Sequence, residues 1–368
     1  MSVRRRRLLG LVALIVVLPA LTGWGLVHLQ AGTPLPPTSE VGFSFSPAAA
    51  LADGEDPGQA LTTLLNTLHP DLIRLPLYWD AVAPEAGEFD FTSADALIGV
   101  VDDYDRARGG GTVQLVLVVG ARNMGYPELH VPGWASAGGA PLASMLLSEP
   151  YRAYLATAVA RYASRPNLAA WQLENEPLDH VGAAGGDDAV PAANLESEVG
   201  LLHEVDPHHQ VVVTSFNSAS AVLDQEQTSP LAGLFAALPG PHATGHMAEA
   251  IQSGDVAGLD AYVVTPKTPL GDAGVIQRIG WKQQSLGFWA RRAEAAQKGF
   301  WMTEMQATNW PGQSGFTPDD LVASAQAYTD AGPAAVLLWG VEDWLGQPEW
   351  MAGGERAMSI LRHGQPAA

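Results

Sequence analysis

Two glutamates stand where apolar runs stop, and both are placed for acid–base work. The stretch Trp171-Gln172-Leu173-Glu174-Asn175-Glu176-Pro177 carries Glu176 where an extended segment gives way to a loop. Pro177 ends that segment, because it lacks the N–H a sheet ladder needs. Phe300-Trp301-Met302-Thr303-Glu304 ends a second apolar run on Glu304. A carboxyl group after such a run meets a large desolvation penalty unless it is paired or does chemistry. Two carboxyls converging on one cleft are what glycosidic-bond hydrolysis requires. One is protonated and donates to the leaving oxygen; the other is ionised and attacks the sugar. An Asn-Glu-Pro triplet alone also fits an ordinary solvated loop, so the weight falls on the pair.

Other residue types at the ends of extended runs fit supporting parts. Arg74, in Leu72-Ile73-Arg74-Leu75-Pro76, supplies a guanidinium that would hold Glu304 ionised, and Tyr262 a phenol that would donate to it. Asn175 can donate to a sugar hydroxyl beside Glu176. Trp339 offers a ring face to a pyranose, and Trp79, Trp134 and Trp344 on neighbouring loops would extend that platform. An ion pair for Arg74, and core or rim packing for Tyr262 and each Trp, are the competing readings. Apolar walls such as Trp171, together with the Glu304 charge, would raise the pKa of Glu176.

Other chemistries find no support. The chain has no Cys, which removes disulfides, thiolate metal sites and a Cys nucleophile. No Gly-x-Ser-x-Gly and no His-Glu-x-x-His occurs. His242 and His246 share a helical spacing but follow Gly240-Pro241, and His208-His209 follow Asp206-Pro207 in a turn, so both pairs read as solvated. No metal and no cofactor is expected.

The elements that must position the two glutamates alternate along the chain. Extended candidates are residues 41–45, 72–77, 113–119, 169–173, 211–215, 256–262, 300–304 and 335–338, eight in all, with helical patterns between them. Leu61, Leu64, Leu65 and Leu68 mark one buried helix face, and Leu155, Val159 and Tyr162 another. Thr317-Pro318-Asp319-Asp320 starts a helix that Gly332 is expected to end, and the glycines at 109–111 close the helix after the second strand. Strands alternating with helices imply parallel pairing. Eight units point to a single (β/α)8 barrel of the TIM type, whose active site lies at the C-terminal ends of the strands. No Gly-x-Gly-x-x-Gly follows the first strand, which disfavours a dinucleotide fold. Residues 127–150 and 228–254 are long connections, and the first is expected to shape the cleft.

Ahead of the barrel, Arg4 to Arg7 precede an apolar run over residues 8–29. About 20 apolar residues span a bilayer as a helix. Residues 1–30 therefore read as a transmembrane signal anchor, or as a cleaved signal peptide, with the Pro-rich residues 31–39 as a stiff linker and residues 40–365 as the catalytic barrel. Either reading places the barrel outside the cytoplasm, secreted if the segment is cut, with the membrane touched by that segment alone. The chain of 368 residues carries a formal charge of −20; without the four arginines, 15 basic residues face 39 acidic ones, or −24. Such a surface excludes nucleic acid as a partner and suits a neutral glycan. Nothing in the sequence sets the oligomeric state.

The sequence resembles clan A of the glycoside hydrolases, the retaining (β/α)8-barrel glycosidases that include cellulase-, β-galactosidase- and β-xylosidase-like enzymes. Leu72 through Trp79 with Glu85-x-Gly87-x-Phe89-Asp90-Phe91, the run from Arg161-Tyr162 to Pro177, Trp301 to Glu304, and Leu338-Trp339-Gly340 carry the likeness. The resemblance implies Glu176 as acid/base and Glu304 as nucleophile, with Arg74, Asn175, Tyr262 and Trp339 in auxiliary places. Two features depart from many relatives. Asp260 stands where cellulase-like members carry a His two residues before the Tyr, and strand three ends in Gly120-Ala121-Arg122-Asn123, with His130 coming only later. The resemblance assigns no family inside the clan. The implied activity is hydrolysis of β-linked glycosides or polysaccharides by double displacement. A non-catalytic carbohydrate-binding barrel and a transglycosylase with the same residues are the alternatives.

Overall fold

The computed structural model describes Thr38 and residues 40–109, 113–125, 127–179, 189–216, 245–264, 275–310 and 314–364. The expected membrane or signal segment, nearly all of the linker, and His242 lie outside the described residues. Among the described residues no helix is long and apolar enough to cross a membrane.

Eight strands close into one parallel barrel in sequence order. They are β1 (Glu40–Ser44), β2 (Leu72–Pro76), β3 (Gln114–Val119), β4 (Leu168–Leu173), β5 (Gln210–Phe216), β6 (Val256–Ala261), β7 (Gly299–Gln306) and β8 (Ala335–Trp339). The ring closes where Val41 of β1 pairs with Val336 of β8. All eight expected strands are present, with ends shifted by a residue or two; β7 runs on past Glu304 to Gln306. The strands read as near-continuous apolar runs because both faces are covered, one by helices and one by the barrel interior.

Side chains alternate across each strand, so the interior fills in layers. The lower layer is apolar: Leu72, Val116, Ala170, Val212, Val256, Trp301, Ala335 and Leu337 form a core cluster of their own. Two residues further along the same strands stand Arg74, Gln172, Thr214 and Thr303, all buried. The interior thus turns from apolar to polar within one pleat repeat, toward the C-terminal ends.

The surrounding helices follow their sequence signals. In helix Pro57–Leu68 the Asp56 carboxylate caps the Gln59 N–H, and Leu61, Leu64, Leu65 and Leu68 are buried. Helix Glu149–Tyr162 buries Leu155, Val159 and Tyr162 as expected, and adds Tyr151 and Tyr154. Thr317 and Asp320 form a reciprocal capping box on helix Pro318–Tyr328. That helix ends at Tyr328 rather than Gly332; the glycine, at φ 91°, serves the turn into β8. Helix Thr92–Ala107 ends just before Gly109, at φ 79°.

Candidate active site

Arg74 rises from β2 into the polar layer, fully buried, and its guanidinium bridges two strands. Nη1 donates to Gln172 Oε1 on β4 at 2.9 Å, and Nη2 pairs with Glu304 Oε1 on β7. Tyr262, one residue past β6, donates its phenol to the other Glu304 oxygen. Both oxygens of Glu304 therefore face donors. Burial alone lowers the Arg74 pKa, but the charges of Glu304 and Asp260 outweigh it and the net shift is upward. Burial, then the Glu304 charge, pushes the Tyr262 phenol well above its usual range, so it stays a donor.

Glu176 lies on the loop after β4, in left-handed backbone at φ 43°, and Glu174 precedes it at φ 58°. Non-glycine residues at such angles store roughly 1–3 kcal/mol each and persist only where the surroundings fix them. Here they are fixed. The Glu174 N–H donates to Val119 O at 2.7 Å, Gln172 Nε2 to Glu174 O at 3.0 Å, and the Glu176 N–H to Thr214 Oγ1 at 2.8 Å. The Glu174 carboxylate is itself enclosed, taking the N–H groups of Ala121 and Arg122 and the Tyr151 hydroxyl. A Cβ on Gly120 (φ 133°) would come within 2.5 Å of that carboxyl carbon, so the close approach requires glycine. Glu174 anchors the loop, and the Glu176 carboxyl lies within reach of the charges of Asp260 and Glu304.

Among the described residues the Glu176 carboxyl accepts no hydrogen bond. Its pKa is raised well above the usual carboxylate range, by burial first and then by the charges of Asp260, Glu128, Asp179 and Glu304. The direction matches the sequence expectation, but the causes differ: Asp260 acts ahead of Glu304. Trp171 is no wall of the site. It alternates with the inward-facing Gln172, lies in the outer core, and donates Nε1–H to Asp206 at 2.8 Å.

Asn175 is buried beside Glu176, its Oδ1 accepting from Gln172 Nε2 at 3.2 Å, which orients its amide. Trp339, half-buried at the end of β8, stands edge-on to Tyr262 with ring centres 5.5 Å apart. Trp310, on the loop after β7, joins them at 5.2 Å from Tyr262 and 5.1 Å from Trp339. The sequence reading missed Trp310, although it lies on the loop that leaves the Glu304 strand.

Two expected platform residues are corrected. Trp79 is 0% exposed, packed against Trp134, Tyr151 and Tyr154. Trp344 is likewise 0% exposed, its Nε1–H given to Ala307 O at 2.9 Å and its ring stacked on Trp350. Neither has a free face for a sugar; each secures a loop to the core. Trp134 packs on Trp79 and donates to Ala83 O at 2.8 Å.

The histidines also depart from expectation. The bridge between Arg122 and Leu129 folds the chain back after β3, and His130 stacks on Tyr78 with ring centres 3.8 Å apart. His246 is paired rather than solvated, with Nδ1 2.6 Å from the buried Asp179, and His209 Nδ1 lies 2.7 Å from Asp206. Among the described residues no group of three His, Asp or Glu could hold a metal ion.

Comparisons with known proteins bear on this geometry. No protein-family model matches the chain, and no curated protein matches it. Solved structures do. A GH5_18 protein from Streptomyces cattleya, in complex with GlcNAc, superposes with a TM-score of 0.62 at 16% identity, over 90% of this chain and 82% of the other. A GH5_18 protein from Bifidobacterium longum subsp. longum ATCC 55813 gives 0.61 at 15% identity, over 90% and 81%. The exo-β-1,4-mannosidase Op5Man5 from Opitutaceae bacterium strain TAV5 gives 0.58 at 18% identity, over 91% of this chain and 62% of that one. These neighbours are GH5 glycoside hydrolases of clan A. The fold is theirs. At these identities the likeness is one of architecture, and the site rests on the contacts described above.

Proposed function

We propose that the protein is a retaining glycosidase acting on β-linked glycosides or polysaccharides, with Glu304 as nucleophile and Glu176 as acid/base. The observation that carries this reading is the division of labour between the two acids. Glu304 is clamped by Arg74 and Tyr262, while the Glu176 carboxyl is buried, accepts no hydrogen bond among the described residues and is shifted toward its protonated form. A carboxyl held by two donors suits the nucleophile, and one whose burial favours its protonated form suits the acid.

In the first step a Glu304 oxygen bonds to the anomeric carbon and the glycosidic C–O bond breaks. The bond's electron pair goes to the leaving oxygen, which takes the Glu176 proton. Glu176, now ionised, then removes a proton from water. The water oxygen attacks the same carbon and Glu304 is released. Two inversions give net retention, which calls for carboxyls about 5–5.5 Å apart. Arg74 and Tyr262 orient the nucleophile, Asn175 addresses a sugar hydroxyl, and Trp339 with Trp310 offers an aromatic wall.

The acidic exported chain suits a neutral glycan. The neighbours include an exo-β-1,4-mannosidase, a variant crystallised with Manβ1-4GlcNAc and a β-galactosidase from Rahnella sp. R3, so β-mannosides, N-acetylglucosaminides and β-galactosides head the substrate panel. The arginine-led apolar N-terminus supports an extracytoplasmic location, anchored or secreted. The test is to assay residues 38–368 on aryl β-glycosides and polysaccharides, beside Glu176→Gln and Glu304→Gln. Labelling by a 2-fluoro glycoside is expected on the peptide carrying Glu304. Activity that survives Glu304→Gln would remove the nucleophile assignment.

A further inference from the structure

Three residues after the acid/base, Asp179 occupies a position no simple loop acid needs. Its side chain is fully enclosed, and one oxygen accepts from Ser215 Oγ at 2.9 Å and the Phe216 N–H at 3.2 Å. The other lies 2.6 Å from His246 Nδ1. Its backbone joins the same knot: the Asp179 N–H donates to Glu176 O at 3.0 Å, and its carbonyl accepts from Arg122 Nη1 at 2.6 Å. The His246 N–H closes the ring by donating to Ser215 Oγ at 2.6 Å. Just before His246, a Cβ on Gly245 would fall 1.7 Å from Phe216 O, so glycine is what lets this segment lie against the end of β5. Asp179 therefore ties together Arg122 from the segment after β3, its own loop after β4, the end of β5 and His246, through its carbonyl to the first and its carboxylate to the last two.

We propose that Asp179, with His246 and Ser215, is the positioning unit of the acid/base, fixing the Glu176 loop on the end of β5. This rests on the assignment of Glu176 given above. The physical argument is that Glu176 has left-handed backbone and a carboxyl with no hydrogen bond among the described residues. Among the described residues its aim is set through its backbone, held by Thr214 on one side and Asp179 on the other. An ångström of misplacement can lose about a hundredfold in rate. Asp179 is also one of four acids, with Asp260, Glu128 and Glu304, whose charge opposes ionisation of Glu176. The groups facing His246 are Asp179 and Glu249, and hydrogen bonding to Asp179 raises its pKa. His246 is part-exposed, so it is the member of the unit that solvent can titrate.

A general acid matters most when the leaving group is poor, and this separates positioning from plain stability. Asp179→Asn, His246→Ala and His246→Asn are assayed on aryl β-glycosides from phenyl to 2,4-dinitrophenyl, beside Glu176→Gln. Asp179→Asn and His246→Ala are expected to lower kcat/KM for the phenyl glycoside by about 10- to 100-fold and to leave the dinitrophenyl glycoside within about threefold. The basic limb of the Asp179→Asn pH profile is expected to move down. His246→Asn, whose amide can replace the Nδ1 donor, is expected to lose less than His246→Ala. If Asp179→Asn does not fold, the two His246 variants read the same unit. Losses equal across leaving groups, or no loss, with Glu176→Gln still leaving-group dependent, overturn the positioning unit alone. Absence of that dependence in Glu176→Gln itself overturns the acid/base assignment, and this proposal with it.

Discussion

Asp260 on β6 lies in register with Glu304 on β7, so a second carboxyl sits beside the candidate nucleophile on the neighbouring strand. It is fully buried; Thr303 Oγ1 donates to its Oδ1 at 2.6 Å, and its Oδ2 has no partner among the described residues. Burial, and then the Glu304 charge, raise its pKa well above the usual carboxylate range. Arg74 answers to both acids, with its ion pair committed to Glu304. The position two residues before Tyr262 thus holds an acid whose surroundings favour its neutral form.

That arrangement predicts the behaviour of Asp260→Asn. The amide matches the neutral carboxyl in shape and still accepts from Thr303, so folding and activity in the acid range are expected to persist. As pH rises, the charge Asp260 acquires opposes ionisation of Glu176. Removing it is expected to shift the basic limb of kcat/KM to lower pH. An unchanged limb would show that Asp260 does not charge over the working range.

The two glutamates are expected to fail differently. Glu304→Gln should abolish turnover on every aryl glycoside and prevent 2-fluoro labelling. Glu176→Gln should lose roughly 10²–10⁴-fold on poor leaving groups and much less on activated ones. Reaction followed by NMR should show the β-anomer of the product first, and release of the α-anomer would refute double displacement.

The aromatic residues divide into two groups that mutation can tell apart. Trp339→Ala and Trp310→Ala are expected to lower kcat/KM about tenfold with little loss of stability, since each removes a half-buried ring at the mouth. Trp79→Ala and Trp344→Ala empty fully packed core positions and are expected to lose about 3–5 kcal/mol in denaturant unfolding. Equal behaviour of the four in both assays would contradict the division.

This contrast shows what the sequence could and could not say. The barrel was legible because buried parallel strands must be apolar throughout, and their ends are marked by residues such as Pro76 and Pro177. Glu176, Glu304 and Arg74 were legible because charge at the end of an apolar run is conspicuous, and the structure brings Arg74 and Tyr262 onto Glu304. The Trp residues were not, because a ring near a strand end looks the same whether it stays half-buried beside Tyr262, like Trp339, or turns inward onto Tyr151, like Trp79. Asp179 was also illegible as part of the candidate site, and Asp260 stood out only as a departure from the clan's pattern, with no role assigned. Their significance lies in partners 36 and 43 residues away, Ser215 and Thr303, and no local pattern announces such contacts.

Buried acids should also make the fold less stable as pH rises. Glu342, just past β8, accepts the Ser46 N–H, and burial outweighs that bond, pushing its pKa up to about 8. In the unfolded chain it titrates near the ordinary 4.5. Between those values the unfolded chain has released a proton that the folded chain keeps, so stability is full below the lower value and is lost as pH rises through the upper one. Glu176 and Asp260 are shifted in the same sense. Asp206 and Asp255, held low by their hydrogen bonds despite burial, act in the opposite sense, losing their contribution only in strong acid. Thermal unfolding is therefore expected at a higher temperature near about pH 5 than near about pH 8. Glu342→Gln keeps the acceptor for Ser46 and removes the ionisation. It should raise Tm at the alkaline end, change it little at the acid end, and flatten the slope between; a slope as steep as that of the parent chain would place the alkaline loss elsewhere.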